Sequence, residues 1–118
     1  MREKNRDKGR LEDILEHSQN VEKLIEGYSY DEFKADIRTY YAVMKNIEIV
    51  GEAVYMLTKD FKDAHPEVPW AVMQGMRHVL VHGYASVEPR TLYDTALVGI
   101  PEVRKQIEAF LSGIDWNM

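Results

Sequence analysis

An all-α fold follows from three features of this 118-residue chain. Apolar residues recur at three- and four-residue spacing along most of its length, no stretch alternates strictly between apolar and polar, and helix start and stop signals bracket the periodic stretches. The simplest architecture is an up-and-down bundle of four main helices with a broken or extra C-terminal helix. The length fits a single helical domain over residues 1–118, with residues 1–8 as a frayed, solvated start and 113–118 as a tail.

The first helix is expected over about Arg6 to Glu26. Leu11, Ile14, Leu15, Val21, Leu24 and Ile25 lie on one stripe, and Gly27 follows as a stop signal. Ser29-Tyr30-Asp31-Glu32 then reads as a capping box, in which Ser29 accepts from the backbone three residues on and Glu32 reaches back. A second helix is expected from there through Phe33, Ile37, Tyr40, Tyr41, Met44, Ile47, Val50, Val54 and Leu57, long enough to be the spine of the bundle. Gly51 interrupts it at a cost of about 1 kcal/mol relative to Ala and would let another helix backbone come close.

Lys59 to Pro69 is charged, contains two prolines and reads as a connection. Pro69 suits the first turn of a third helix running to about His82, and Gly83 ends it. Glu88-Pro89 opens a fourth helix whose apolar positions include Leu92, Ala96 and Leu97, and Gly99-Ile100-Pro101 marks a break or kink. A last piece carries Val103, Ile107, Phe110 and Leu111, and the tail holds Trp116.

Composition narrows the functions. The chain has no Cys, so disulfides, thiolate nucleophiles and Cys-ligated zinc are excluded. Its start is charged, with no signal-peptide or membrane-spanning segment behind it, and a cytoplasmic protein with no membrane partner is expected. The net charge of −5 argues against a protein that coats nucleic acid. A nuclease needs only a local positive cleft, and the segment from Trp70 to Arg90 carries Arg77, Arg90, His78 and His82 against the single acid Glu88.

Most informative is Met76-Arg77-His78-Val79-Leu80-Val81-His82-Gly83-Tyr84, where polar residues interrupt an apolar helix. At about 100° per residue, Met73, Met76, Val79 and Leu80 fall on one arc as a core face, while Arg77, Gln74, His78 and His82 fill the other. Arg77 and His82 lie about 140° apart, so facing copies of the helix in a symmetric dimer would join them in one cleft better than one chain does. Their chemistry suits RNA cleavage without a metal: a neutral imidazole takes the 2′-hydroxyl proton, an imidazolium protonates the leaving 5′-oxygen, and Arg77 holds charge on the phosphate. A resident metal is disfavoured because His78 and His82 have no acidic or third His ligand nearby in sequence, His17 and His65 being remote, so no cofactor is expected.

The element Arg77, four residues, His82, one residue, Tyr84, led by Pro69-Trp70-Ala71-Val72-Met73-Gln74-Gly75-Met76, resembles the HEPN superfamily and, within it, the HepT-like toxins. Gly51-Glu52-Ala53 resembles another segment of that family, so the similarity spans about Ile47 to Phe110. The resemblance implies an α-helical homodimer that is a metal-independent endoribonuclease toxin of a type II toxin–antitoxin system. Arg77 and His82 take its catalytic positions, with His78 and Glu52 as support. It further implies a cognate minimal nucleotidyltransferase antitoxin that silences the toxin by transferring AMP (AMPylation) to Tyr84, where phosphates two residues from His82 would repel an RNA backbone.

One departure is His78, which stands where such families commonly have Asn; Tyr93 is a candidate for an aromatic residue expected in the fourth helix. Plainer readings exist for each residue. Arg on a helix face is ordinarily solvated, His in a last turn serves the helix dipole, and a Tyr beside a helix stop covers a neighbour. Tyr40, Tyr41, Met44 and Met56 read as core or dimer packing, and Glu48 and Glu52 as a polar face or support for Arg77. The rival to a nuclease is a non-catalytic helical module that docks with, or is the substrate of, a nucleotidyltransferase; a plain helical scaffold comes third.

Overall fold

The computed structural model describes residues 2–117, with side chains from Asn5 onward, and the described residues are helical with no strand. Helix α1 spans Arg2–Ile25, α2 Tyr30–Ala35, α3 Ile37–Met56, α4 Lys59–Ala64 and α5 Trp70–Gly83. A 3₁₀ turn (Tyr84–Ser86) leads to α6 (Pro89–Asp94), a π-helical turn (Thr95–Gly99) and α7 (Ile100–Gly113). The four main helices of the expected bundle are therefore α1, α3, α5 and the α6-to-α7 unit.

The inward stripe of α1, Leu11, Ile14, Ser18, Val21 and Ile25, is buried at three- and four-residue steps, and Gly27 stops the helix at φ 78°, a left-handed value that favours glycine. Each fully buried Leu or Ile contributes about 1.5–3 kcal/mol of transfer free energy. The helix begins at Arg2, ahead of the apolar stripe that marked its start near Arg6. Of the solvated start expected over residues 1–8, Met1 and the side chains of Arg2, Glu3 and Lys4 lie outside the described residues. Asp7 within it is buried and accepts from the Thr58 backbone N–H (2.9 Å) and hydroxyl (2.7 Å).

The single spine expected from Ser29 to Leu57 is two helices. Its capping box forms, with Glu32 N–H donating to Ser29 Oγ at 3.2 Å and Ser29 N–H to Glu32 Oε1 at 3.0 Å. Asp36 then leaves helical geometry (φ −92°, ψ 95°), because its carboxylate caps a fresh helix by accepting from the N–H groups of Arg38 and Thr39. Tyr28 also donates its hydroxyl to Asp36 at 2.7 Å; that bond, followed by those from Thr39, holds the Asp36 carboxyl below its ordinary range.

The expected connection after Lys59 contains α4, started by Thr58, whose hydroxyl accepts from the Phe61 N–H, and braced by a Lys59–Asp63 ion pair one turn apart. The break expected at Gly99-Ile100-Pro101 is milder and one turn earlier. Pro101 has no N–H to give, and the chain absorbs it in a widened turn where Ile100 N–H reaches Thr95 five residues back.

Helix α1 packs on α3 and α7, and α3 packs on α1 and α5. Arg104 of α7 grips Glu22 of α1 through two bonds of 2.8 and 3.1 Å. Helix α5 is anchored at its start by Trp70 Nε1–H donating to the His65 carbonyl (2.9 Å), and Phe61 packs against Trp70, Phe110 and Trp116. Its main support is α3, so the core face read for it is only partly realised. Leu80 is buried and Met73 and Met76 are half-buried, whereas Val79 is 42% exposed and borders a shallow groove with Val87 and Thr91.

Gly51 sets the approach of α3 and α5: a Cβ there would overlap Arg77 Cβ and stand 2.9 Å from the Met73 carbonyl oxygen. The facing atoms belong to backbone and to the root of a side chain, so they cannot rotate away. Gly51→Ala is expected to destabilise the fold by about 1–3 kcal/mol despite its better helix propensity. Urea denaturation measures this, and an Ala variant at least as stable as wild type would contradict the close approach.

Candidate functional site

Each side chain singled out on α5 is held differently. Arg77 roots against Gly51 and turns toward α3, where its Nε–H donates to Glu52 Oε2 at 2.6 Å and its guanidinium lies 5.0 Å from the centre of the Tyr55 ring. Glu52 and Tyr55 are three residues apart on α3 and so share the face that meets Arg77. The Arg77 side chain is one-quarter exposed and Glu52 about half, so the pair orients the guanidinium more than it stabilises the fold.

His78 and His82, one helical turn apart, face solvent, with ring centres 4.7 Å from each other. Arg77 and His82 are thus directed differently within one chain: Arg77 is drawn to α3, while His82 pairs with His78. The wide separation read from the helical wheel is kept.

Tyr84 opens the 3₁₀ turn directly after α5, where Ser86 donates its hydroxyl to the Gly83 carbonyl at 2.8 Å. The ring is 60% exposed and borders a shallow groove of about 400 Å³ shared with Tyr41, Met44, Lys45 and Glu48 of α3. A phenol so presented is open to an enzyme that modifies it. Tyr93, by contrast, is a core residue: its ring packs on Tyr30 and Phe33 and its hydroxyl donates to the Tyr28 carbonyl at 2.9 Å.

The local excess of positive charge read from Trp70 to Arg90 is offset by acids from outside that segment. Glu52 pairs with Arg77, and Asp94 pairs with Arg90 at 3.3 Å. Arg90 also lies over the rings of Tyr30 and Tyr93, at 5.0 and 5.8 Å. No three His, Asp or Glu residues among those described are grouped to hold a metal ion, and none of the described helices is long and apolar enough to cross a membrane.

Sequence reasoning did not single out Tyr55, although its three-residue spacing from Glu52 was a usable signal. It also passed over Lys62, whose ammonium donates to the Val54 carbonyl and to Gln74 Oε1, both at 3.2 Å, and so ties α4 and α5 to the end of α3. A third omission is the apolar surface beside the site. Val72 (70% exposed), Val79 and Val98 are uncovered, and Met73, Met76, Gly99 and Ile100 line a groove of about 400 Å³ between α5 and the π turn.

Comparison with known proteins adds relatives across this whole region. A family model described as "Ribonuclease HepT-like" matches residues 14–110, which include every site residue named above. A protein named "Probable ribonuclease HepT" from Thermococcus cleftensis is 38% identical over 98 residues, covering 83% of this chain and 89% of that one. Two proteins each named "Putative RNase" are similar to it as well. The one from Caldanaerobacter subterraneus subsp. tengcongensis is 38% identical over 101 residues (86% of this chain, 90% of the relative). The one from Methanocaldococcus jannaschii is 34% identical over 105 residues (89% and 87%). No solved structure gives a significant match.

The contrast between Tyr84 and Tyr93 is open to a chemical test. Limited nitration with tetranitromethane, followed by peptide mass mapping, should label Tyr84 severalfold faster than Tyr93. Preferential labelling of Tyr93 would show that the end of α5 is packed differently.

Proposed function

The chain belongs to the HepT-like ribonuclease family, and from this premise we propose that it is a metal-independent endoribonuclease toxin working as a homodimer. The carrying observation is that Arg77 and His82 lie on one helix, with Arg77 already oriented by Glu52 and Tyr55 and His82 open to solvent. His82 takes the 2′-hydroxyl proton or returns one to the 5′-oxygen, and Arg77 bears the charge that develops on the phosphate. A neutral His78 beside His82 can accept or donate a hydrogen bond in support.

The divergence of Arg77 and His82 supports a composite site. In a two-fold dimer, the Arg of one copy and the His of the other converge without bending either helix. The exposed Val72 and Val79 of α5 supply the kind of apolar surface such an interface needs.

Silencing is proposed at Tyr84 by AMP transfer from a cognate minimal nucleotidyltransferase. Its support is the family together with an exposed phenol two residues from His82. An added adenylate carries charge of the same sign as RNA and occupies space beside the imidazole.

Purified wild type incubated with RNA in EDTA should cut it, and Arg77→Ala and His82→Ala should each be slower by about 100-fold or more. If wild type cuts no better than the two variants, the chain is instead a non-catalytic module that docks with the transferase. Co-expression with a nucleotidyltransferase encoded beside the gene should raise the intact mass by whole AMP units, and Tyr84→Phe should remove the increase. An unchanged mass in wild type would count against the silencing mechanism.

A further inference from the structure

The His78–His82 pair has a property that general acid–base chemistry does not require. Two imidazoles four residues apart on a regular helix stand on one face, and here both rings are solvent-exposed with centres 4.7 Å apart. Rings so spaced can each turn one nitrogen to about 2.0–2.1 Å from a shared ion, the spacing by which two His residues of a helix bind zinc. The chain's other two imidazoles are engaged elsewhere: His17 bonds Asn46 at 2.8 Å, and His65 is packed on Phe61 and Phe110 beside Glu67. The nearby cation, Arg77, has its charge offset by Glu52, which lowers the repulsion an incoming ion would meet.

We propose that His78 and His82 form a bidentate site for a divalent first-row transition ion such as Zn²⁺ or Cu²⁺, and that its occupancy blocks the imidazole of His82. The ion is an inhibitor here and not a resident cofactor. With two protein ligands the site is open, so the ion exchanges and water fills its remaining positions. The blocking effect rests on the proposed nuclease role of His82, because a nitrogen lone pair donated to a metal cannot take a proton. The binding itself rests only on the helix geometry.

The test separates the two. Calorimetric titration of the metal-free full chain with Zn²⁺ should show binding that His78→Gln and His82→Gln each weaken by about 10-fold or more, while His17→Gln and His65→Gln leave it unchanged. Electron paramagnetic resonance of the Cu²⁺-loaded chain should show nitrogen couplings from two or more imidazoles, reduced in His78→Gln. Equal Zn²⁺ affinity in wild type and His78→Gln, or Cu²⁺ spectra without imidazole nitrogen, would overturn the site.

RNA cleavage supplies the second readout, with each protein compared with its own metal-free rate. Zn²⁺ should slow wild type and lose that effect on His78→Gln. A Zn²⁺-bound wild type that cuts at its metal-free rate would overturn the inhibition. A wild type with no cleavage even in EDTA would overturn the nuclease reading, and with it the inhibition, while the calorimetry still decides the site.

Discussion

The close approach of α3 and α5 at Gly51 is the constraint on which the candidate site depends. A hydrogen in place of a methyl lets the root of Arg77 lie against the α3 backbone, and from that root the guanidinium reaches Glu52 and Tyr55 of the same helix. Three features within five residues of the sequence, a glycine, the acid after it and an aromatic three residues beyond that acid, thus become one cradle. The arrangement trades helix propensity for position. Alanine would suit the helix better by about 1 kcal/mol, yet it would push apart the two elements that define where the arginine points.

Seating α5 on α3 has a consequence on its other side. Helix α7 packs on α1, and the outer face of α5 is left with Val72, Met76 and Val79 along a shallow groove toward Val87 and Thr91. A monomer gains nothing from apolar side chains held in water, whereas a second copy would bury them. That face and the diverging directions of Arg77 and His82 are separate observations, one about packing and one about chemistry. Both are accounted for by the proposed dimer.

The fold was largely legible in the sequence because its signals are local. The apolar stripe of α1, the stop at Gly27, the Ser29–Glu32 capping box and the small residue at Gly51 each carry their reason in a few neighbouring residues. The misreadings occurred where two local signals compete or where an apolar position finds no partner. Asp36 splits the spine by capping with its own carboxylate, a choice helped by Tyr28 from the preceding turn. Val79 has the spacing of a core residue yet is 42% exposed, because periodicity alone does not say which apolar positions find a partner. Arg77, His82 and Tyr84 could be singled out as candidates from the sequence, and Glu52 as support for Arg77, whereas the place of the Tyr55 ring beside Arg77 depends on two helices meeting.

The pairing of Arg77 with Glu52 bears on how such a site could be controlled. An arginine free in a basic cleft would bind any phosphate strongly, but here a phosphate must compete with a carboxylate already 2.6 Å from Nε. Competition of this kind weakens ground-state binding, yet it costs little where charge builds up on the phosphate, because a more highly charged oxygen displaces the carboxylate more readily. It also fits a protein of net charge −5, whose overall field does not favour RNA. A site that binds its substrate by a narrow margin can be closed by a modest change. The proposed anionic group on the exposed Tyr84 and the proposed ion on His78 and His82 would be two such changes, one acting on the approach of the backbone and the other on the imidazole of His82.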